Sequence, residues 1–328
     1  MALADGPVGF LRARGDDITM TTLVYITSSS FSGSTLLTFL LAAHPRVATV
    51  GELKATARGD VDKYLCSCGI PIRACSYWQR LGEELARRGV AFDVADFGTH
   101  FAFQRAGALA NHVVRAGLRG RVFEVIRSLA INMLPGARSE FNGILERNRA
   151  MIDAICGMRD APVFVDGSKD SNRLKYMIDS GLWSVKVVYL VRDGRGVTLS
   201  RLRRVEHTVS EADSANVEAV AAQWRRTLEG CEGLLARLPP ESWVKVRYED
   251  LCRDPNASLA PIFGLMGVGP LRIDEEFRSI DHHILGNQMR LKGGRIGLDE
   301  EWRSVLSPRQ LAAFERAAGD FNRRHGYA

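Results

Sequence analysis

Residues 21–45 read TTLVYITSSSFSGSTLLTFLLAAHP, and this stretch decides the fold class. A β-branched strand, LVYIT (23–27), runs into a turn of serines and glycine, which leads directly into an apolar helix that begins near Ser34. Such a loop favours an anion, because it offers hydroxyl donors while the first turn of the helix points free N–H groups at the same spot. The G-x-x-x-x-G-K-[ST] pattern of ATP and GTP loops is absent, and so is its lysine. The loop therefore predicts a bound phosphate other than the triphosphate of ATP; the alternative is a turn that only caps the helix.

Three more strand-like runs follow, VFVD (163–166), VKVVYLV (185–191) and WVKVRY (243–248), with helical stretches between them. This alternation predicts an α/β protein with a P-loop-like three-layer fold, in which helices flank a central parallel sheet. Between about residues 60 and 160 the pattern predicts a mostly helical insertion, with helices at 77–88, 121–134 and 141–158. We expect a single domain over residues 21–328, preceded by a flexible leader at 1–20 that is not a signal peptide.

Composition narrows the class of partner. The chain has 328 residues, of which 46% are hydrophobic and 25% charged, and a net charge of +6. Because the basic residues are scattered, the charge favours a small acidic ligand over nucleic acid. No apolar run approaches the roughly 18 residues of a membrane span, so we expect a cytoplasmic protein without stable membrane insertion. The sequence does not predict an oligomeric state.

Two helices are marked by their own residues. Apolar side chains recur at three- and four-residue spacing from Val217 to Leu235, which predicts one long helix with a buried face. Near the C-terminus, Ser307 and Gln310 match a capping box, and Gly326 can end the helix that follows.

A second anion element follows the strand that ends at Val191, in the segment VVYLVRDGRGVTLSRLRR (187–204). Arg192 emerges at the carboxyl edge, where open parallel sheets bind ligands, and Ser200 and Arg204 follow on the next helix. These side chains could hold one phosphate, although an arginine–aspartate pair at a strand end is also a common structural salt bridge. Two anion elements on neighbouring strands indicate a ligand with two separated phosphate groups.

Together these segments resemble the sulfotransferase family that uses 3′-phosphoadenosine 5′-phosphosulfate (PAPS), in its bacterial and carbohydrate-type members, with similarity to protein-tyrosine sulfotransferases. SFSGSTLL (30–37), followed by HP and VGEL, resembles that family's 5′-phosphosulfate loop, and LVRDGRGVTLSRLRR resembles its 3′-phosphate motif. VRYEDLCRDPNASL (246–259) and HHILGNQMRLKGGRIGLDEEW (282–302) are similar to two further family segments. The four matches occur in the family's order and span most of the chain.

The resemblance implies roles for individual residues, with PAPS as co-substrate. Ser32, Gly33, Ser34 and Thr35 would hold the 5′-phosphosulfate, and Arg192, Ser200 and Arg204 the 3′-phosphate. Trp224 and Tyr248 would lie near the adenine or in its pocket walls, or would be plain core aromatics. Glu52 matches the general base, and Lys169 resembles the lysine that stabilises the transferring group.

One position departs from the family pattern. Relatives have lysine or arginine just before the S-G-[ST]-T run, whereas this chain has Phe31. The missing charge-assisted contact is worth about 1.5–3 kcal/mol. Other cations must then neutralise the developing charge, and the candidates are Lys169, Arg290, Lys292 and Arg295.

The implied reaction moves a sulfuryl group in line to an acceptor hydroxyl, which requires positioning, charge stabilisation and a base but no metal. Glu52 is the expected base; the alternatives for Glu52 are an exposed glutamate or a helix cap. His44, His282 and His283 are the other candidate bases, with His44 expected to be structural.

Three cysteines crowd together in CSCGIPIRAC (66–75), at positions 66, 68 and 75. A tetrahedral zinc site would need a fourth ligand, and the spacing differs from the usual C-x₂₋₄-C knuckle. We therefore expect buried free thiols or one disulfide, with a metal site as the alternative. The dispersed cysteines Cys156, Cys231 and Cys252 are expected in the core.

Two other functions stay open at this stage. A nucleotide-dependent P-loop kinase could use Asp166, which follows a strand, but its loop lysine is missing. A non-catalytic module that binds 3′,5′-ADP or another anion is favoured by Phe31. The acceptor, whether glycan, lipid or small metabolite, is not identified by the sequence, although the helical insertion is expected to shape its pocket.

Overall fold

The computed structural model describes residues 20–54, 60–103, 105–116, 121–206, 214–274, 277–278, 282–286, 288–291 and 295–328. The expected leader lies outside these ranges except for Met20, and so does Lys292.

In the part of the chain that the structure describes, five parallel strands form the central sheet. They are β1 (Thr22–Thr27), β2 (Val47–Thr49), β3 (Val163–Asp166), β4 (Ser184–Val191) and β5 (Trp243–Arg247). Their order across the sheet is β2-β3-β1-β4-β5, and every neighbouring pair is parallel. The four predicted strands are confirmed, and β2 is an additional, short strand.

Helices cover both faces of the sheet. Side chains alternate along each strand, so each strand packs against helices on both sides. On one face, Val24 and Ile26 of β1 pack with α1 (Ser34–Ala42), α9 (Tyr248–Arg253) and α10 (Pro255–Met266). On the other face, Tyr25 packs with α6 (Ser171–Ser180), α7 (Gly194–Glu206) and α8 (Ser214–Leu235). The predicted three-layer α/β class is therefore confirmed.

The described part of the segment between β2 and β3 is mostly helical, as predicted for residues 60–160, and it contains four α-helices. They are α2 (Ser76–Arg87), α3 (Gly107–Arg115), α4 (Arg121–Met133) and α5 (Ala137–Arg159). Trp78, Leu81 and Leu85 of α2 join Ile152 of α5 in a core that continues onto the sheet through Phe164. The predicted helices at 77–88, 121–134 and 141–158 correspond to α2, α4 and α5, while α3 was not predicted.

The C-terminal helices pack on α7 and α8. They are α11 (Trp302–Val305), α12 (Pro308–Phe314) and α13 (Asp320–Arg324), with a π-helical turn at Glu315–Gly319 joining the last two. The predicted capping box of Ser307 and Gln310 is present, and Gly326 has the left-handed φ of 84° that ends a helix. Within the described residues, no helix combines the length and apolar character that a membrane span needs.

The strand order creates a crevice at the carboxyl ends of β1 and β4. From β1 the chain builds β2 and β3 on one side and then β4 and β5 on the other, so the connections diverge between β1 and β4. Ligands bind at such switch points in open parallel sheets. The loop after β1 and Arg192 after β4 both lie at this edge.

Candidate active site

The loop after β1 is built as an anion-binding turn. Phe31 and Gly33 have left-handed φ values of 66° and 85°, and α1 begins directly afterwards with Leu37 N–H donating to the Gly33 carbonyl. The Ser29 and Ser32 hydroxyls share a 2.6 Å hydrogen bond inside the loop. Left-handed turns of this kind form N–H concavities, and the first turn of α1 adds N–H groups without partners in the helix. Ser32, Gly33, Ser34 and Thr35 all belong to this turn, with Ser32 and Ser34 buried.

Tyr248 packs its ring against the loop at Gly33. It is the first residue of α9, directly after β5, and a Cβ atom at Gly33 would lie only 2.3 Å from its ring. Only glycine therefore fits at position 33, both for its φ and for this contact. Burial raises the pKa of Tyr248, so the phenol is neutral and can donate to the Gly297 carbonyl at 3.3 Å.

Arg192 joins the two predicted anion elements. Its guanidinium donates to the Phe31 carbonyl at 2.8 Å and to the Asp299 carboxylate at 2.8 Å, and it lies 4.6 Å from the centre of the Tyr248 ring. The residue is only 6% exposed, so its charge is held in place at the crevice. Gly196 leaves room for it, because a Cβ there would lie 3.1 Å from the guanidinium. The structure thus brings Arg192 into direct contact with the first loop.

Glu249 of α9 and two residues near the C-terminus fix the turn that follows Arg192. Glu249 accepts the N–H of Asp193 at 3.0 Å and the Tyr327 hydroxyl at 2.6 Å. Asn322 accepts the N–H of Gly194 at 2.9 Å. Sequence reasoning did not single out these residues, and they position the arginine rather than contact the crevice themselves.

The remaining residues of the second element lie at different depths. Ser200 is half-buried on α7, and Arg204 is exposed in its last turn. Trp224 is 2% exposed and packs edge-on against Phe321, and a Cβ at Gly194 would touch its ring at 2.8 Å. Trp224 therefore lies in the core beneath the start of α7.

Glu52 and Lys169 form an ion pair at the same edge of the sheet. The Lys169 ammonium lies 2.6 Å from the Glu52 carboxylate, and each side chain is 15% exposed. They follow β2 and β3, which are neighbours in the sheet, so the pairing follows from topology. Lys169 has a left-handed φ of 62°, a conformation that costs a non-glycine residue about 1–3 kcal/mol.

Gly286 and Arg290 form a wall beside Glu52. Gly286 has a φ of 126°, which favours glycine, and a Cβ there would lie 3.0 Å from the Glu52 carboxylate. Arg290 is 5% exposed and donates to the carbonyls of Gly286 at 2.7 Å and Leu65 at 2.9 Å. Its guanidinium is thus occupied by backbone carbonyls, whereas Arg295 is exposed.

Asp166 is enclosed rather than open to a ligand. It is 0% exposed, and its carboxylate accepts from Arg173 at 2.9 Å, from both the N–H and the hydroxyl of Ser168, and from the Leu53 N–H at 3.3 Å. Arg173 is itself buried and donates further to the Thr99 carbonyl. This network fixes the backbone that carries Glu52 and Lys169.

The candidate histidine bases all contact other groups. His44 is 5% exposed; its Nδ1 accepts the Arg46 N–H, so its Nε2 donates to the Gly269 carbonyl at 3.0 Å, as expected for a structural residue. His282 bonds to Ser67 at 2.9 Å, and His283 lies beside the cysteine cluster.

A cavity of about 1240 Å³ opens between the helical insertion and the start of α6. Its floor includes Lys54 and Asp170, which lie 3.5 Å apart and are close in sequence to Glu52 and Lys169. His100, Arg115 and Arg147 line it from the insertion. The lining is therefore largely polar and charged.

A family model and several solved structures that are similar to this chain are those of sulfotransferases. Residues 184–269, from β4 to just beyond α10, match the model of the sulfotransferase family. A search of curated proteins found no match.

Among solved structures, similar chains include the sulfotransferase domain from the Synechococcus PCC 7002 olefin synthase, at 18% identity and a TM-score of 0.46, covering 91% of this chain and 95% of that one. The sulfotransferase domain from the curacin biosynthetic pathway has 17% identity and a TM-score of 0.47, over 94% of this chain and 99% of that one. Mouse sulfotransferase SULT7A1 complexed with PAP has 12% identity and a TM-score of 0.43, over 94% and 89%.

The family match covers the strand that ends at Val191, Arg192 behind it and the β5–α9 corner that carries Tyr248. It identifies residues 184–269 as a sulfotransferase-family segment and confirms the predicted resemblance for that part of the chain.

Proposed function

We propose that this protein is a PAPS-dependent sulfotransferase that moves a sulfuryl group to an acceptor hydroxyl. The observation that carries the proposal is the 2.8 Å contact between the Arg192 guanidinium and the Phe31 carbonyl. It supports a single ligand that spans both anion elements, with one phosphate at the loop after β1 and a second at Arg192. A contiguous triphosphate does not need two such elements.

The donor would lie along the crevice at the carboxyl ends of β1 and β4. The N–H groups and hydroxyls of Ser32, Gly33, Ser34 and Thr35 would hold the 5′-phosphosulfate at the positive end of α1. Arg192, with Ser200 and Arg204 further along α7, would hold the 3′-phosphate. Asp299 contacts Arg192 at 2.8 Å and would give up this contact to the phosphate, which makes it a stand-in for the ligand's negative charge.

Glu52 would act as the general base. In the transfer step, the acceptor oxygen forms a bond to sulfur while the bond between sulfur and the bridging phosphate oxygen breaks. The acceptor's proton passes to the Glu52 carboxylate, and 3′,5′-ADP leaves with the electron pair of the broken bond. Lys169, 2.6 Å from Glu52, would stabilise the negative charge that develops on the transferring group.

The acceptor would enter through the 1240 Å³ cavity on the insertion side. Lys54 and Asp170 connect the cavity floor to the segments that carry Glu52 and Lys169, which supports a shared site. The charged lining favours a polar, hydroxyl-rich acceptor such as a glycan or a small metabolite over a lipid.

The kinase alternative has no loop lysine, and its candidate metal ligand Asp166 is engaged in other contacts. Asp166 is fully buried and its carboxylate is occupied by Arg173, Ser168 and the Leu53 N–H, so binding of Mg²⁺ there would require breaking this network. Only turnover distinguishes a non-catalytic module from the enzyme, since both would bind 3′,5′-ADP.

The test combines binding and turnover. We expect micromolar binding of 3′,5′-ADP by calorimetry and much weaker binding of ATP·Mg²⁺; a preference for ATP·Mg²⁺ would overturn the proposal. Radiolabelled PAPS with a panel of hydroxyl acceptors then reports transfer. Glu52→Gln should keep the affinity for 3′,5′-ADP while turnover falls about 100-fold or more. Undiminished turnover would remove Glu52 from the mechanism, and bisphosphate binding without transfer to any acceptor would favour the non-catalytic module.

A further inference from the structure

Three cysteines and one histidine bring their ligand atoms together at the surface of the insertion. The Cys66, Cys68 and Cys75 sulfurs and one ring nitrogen of His283 all lie within 4.8 Å of one another. The cysteines are close in sequence, whereas the histidine comes from the far end of the chain, more than 200 residues away. The fold therefore supplies the fourth ligand that the cysteine spacing lacks.

Three of the six separations between the ligand atoms are close to those of a tetrahedral zinc site, and all six are within 4.8 Å. With Zn–S near 2.3 Å and Zn–N near 2.0 Å, two sulfurs lie about 3.8 Å apart and a sulfur and a nitrogen about 3.5 Å apart. The observed values are 3.7 Å between the Cys68 and Cys75 sulfurs, 3.5 Å between Cys66 and His283 Nδ1, and 3.3 Å between Cys75 and His283 Nδ1. A disulfide requires sulfurs about 2.05 Å apart, and Cys66, Cys68 and Cys75 form no disulfide with one another.

The surrounding groups hold these ligand atoms in place. The Trp78 indole N–H donates to the Cys66 sulfur at 3.4 Å, and the backbone N–H groups of Tyr77 and Trp78 point at the Cys75 sulfur. The His283 ring is stacked on Tyr77 with centroids 4.2 Å apart, which fixes the direction of Nδ1. Such N–H donors and ring contacts are the outer groups that orient metal ligands.

We propose that Cys66, Cys68, Cys75 and His283 bind one Zn²⁺ ion in a closed structural site. Three thiolates and one imidazole complete the four positions of tetrahedral zinc, so none remains for water or substrate. Thiolates select zinc over the hard cations Mg²⁺ and Ca²⁺. Binding releases the thiol protons, and the His283 proton stays on Nε2 while Nδ1 coordinates. This proposal takes up the metal site that the sequence left as the alternative to free thiols or one disulfide.

The ion would tie the insertion to the wall beside Glu52. Next to the cluster, the Ser67 hydroxyl accepts the Ile284 N–H at 2.7 Å, and the Leu285 N–H donates to the Val50 carbonyl at 2.8 Å. Gly286 follows and approaches the Glu52 carboxylate. Zinc at His283 would therefore anchor the segment that shapes this side of the crevice, although it would not touch the reacting groups.

The test measures metal content in the full-length protein. Protein purified without chelator should contain close to one zinc per chain, and little iron, nickel or copper, by inductively coupled plasma mass spectrometry. Cys66→Ser, Cys75→Ser and His283→Gln should each retain less than one tenth of that zinc. Two matched controls, Cys156→Ala for a thiol elsewhere and the exposed His112→Gln for an imidazole elsewhere, should keep it.

A second measurement decides the case in which the variants fail to fold. The wild-type protein, produced in cells grown with Co²⁺ in place of zinc, should show two features in its absorption spectrum. They are a thiolate-to-cobalt charge-transfer band and the intense visible bands of tetrahedral cobalt. Absence of these bands would overturn the proposal. So would a wild-type protein that stays metal-free after incubation with zinc, a disulfide between Cys68 and Cys75, or zinc that the cluster variants retain in full.

Discussion

Replacement of Arg192 by alanine tests the donor site directly. The guanidinium is 6% exposed and makes its contacts with Phe31 and Asp299 at the crevice. In Arg192→Ala these contacts vanish, and the 3′-phosphate loses its charged donor. We expect 3′,5′-ADP to bind more weakly, and the size of the loss follows from the kind of bond removed.

A hydrogen bond to a charged group contributes about 1.5–3 kcal/mol, which corresponds to an affinity about 10- to 150-fold lower. The phosphate bond replaces the contact between Arg192 and Asp299, whose carboxylate is 44% exposed, so the weaker half of this range is the better expectation. Arg192→Lys keeps the charge but loses the planar fork, and it should fall between alanine and the wild type.

Calorimetry with two nucleotides separates this effect from general damage. Adenosine 5′-monophosphate has no 3′-phosphate, so its affinity should change little in Arg192→Ala while that of 3′,5′-ADP drops. Arg87→Ala removes an exposed, ion-paired arginine of α2 and serves as the matched control, with unchanged binding. Equal losses for both nucleotides would refute a specific 3′-phosphate contact, and an unchanged 3′,5′-ADP affinity would refute the site altogether.

Three further substitutions probe the same crevice. Gly33→Ala should lower the melting temperature and abolish 3′,5′-ADP binding, because its Cβ would lie 2.3 Å from the Tyr248 ring. The control Gly136→Ala has a similar φ of 73° but open space around it, so an equal effect there would refute the steric argument. Asp299→Asn removes the carboxylate that competes for Arg192, and calorimetry should show 3′,5′-ADP binding up to about fivefold tighter; weaker binding would contradict the stand-in role. Phe31→Lys restores the cation of the family pattern and should raise kcat/KM for PAPS about tenfold or more, whereas an unchanged value would mean that another cation already supplies this charge.

The strands that sequence reasoning found were those with enough residues to carry a pattern. β1, β3, β4 and β5 are runs of four to eight mostly apolar residues, and the side chains of the first three are largely buried. β2 has only three residues, VAT, and it exists because its backbone pairs with β3. A segment this short has no periodicity of its own, so tertiary pairing decides its conformation.

The same distinction applies to the site. Arg192 and the serine loop were predictable because the carboxyl ends of parallel strands meet at one edge. The observed contacts of Asp299 and His283 were not predicted, since these residues reach their partners across 107 and 217 residues of chain. Nothing in their neighbouring residues marks these contacts, which depend on how the C-terminal segments pack over the crevice.

The charge that Phe31 does not supply points to Lys169. Arg290 is held by the backbone carbonyls of Leu65 and Gly286, so it is already committed to the wall beside Glu52. Lys169, by contrast, lies at the carboxyl edge in a left-handed conformation that glycine would adopt at lower cost, and its ammonium is aimed at the Glu52 carboxylate. The Asp170 side chain, which accepts the first N–H groups of α6, stabilises this unfavourable backbone. A lysine kept at a strained position next to the expected base favours a role in the chemistry over one in stability. An unchanged turnover in Phe31→Lys would then be explained by Lys169, which would already supply the charge of the family's usual loop cation.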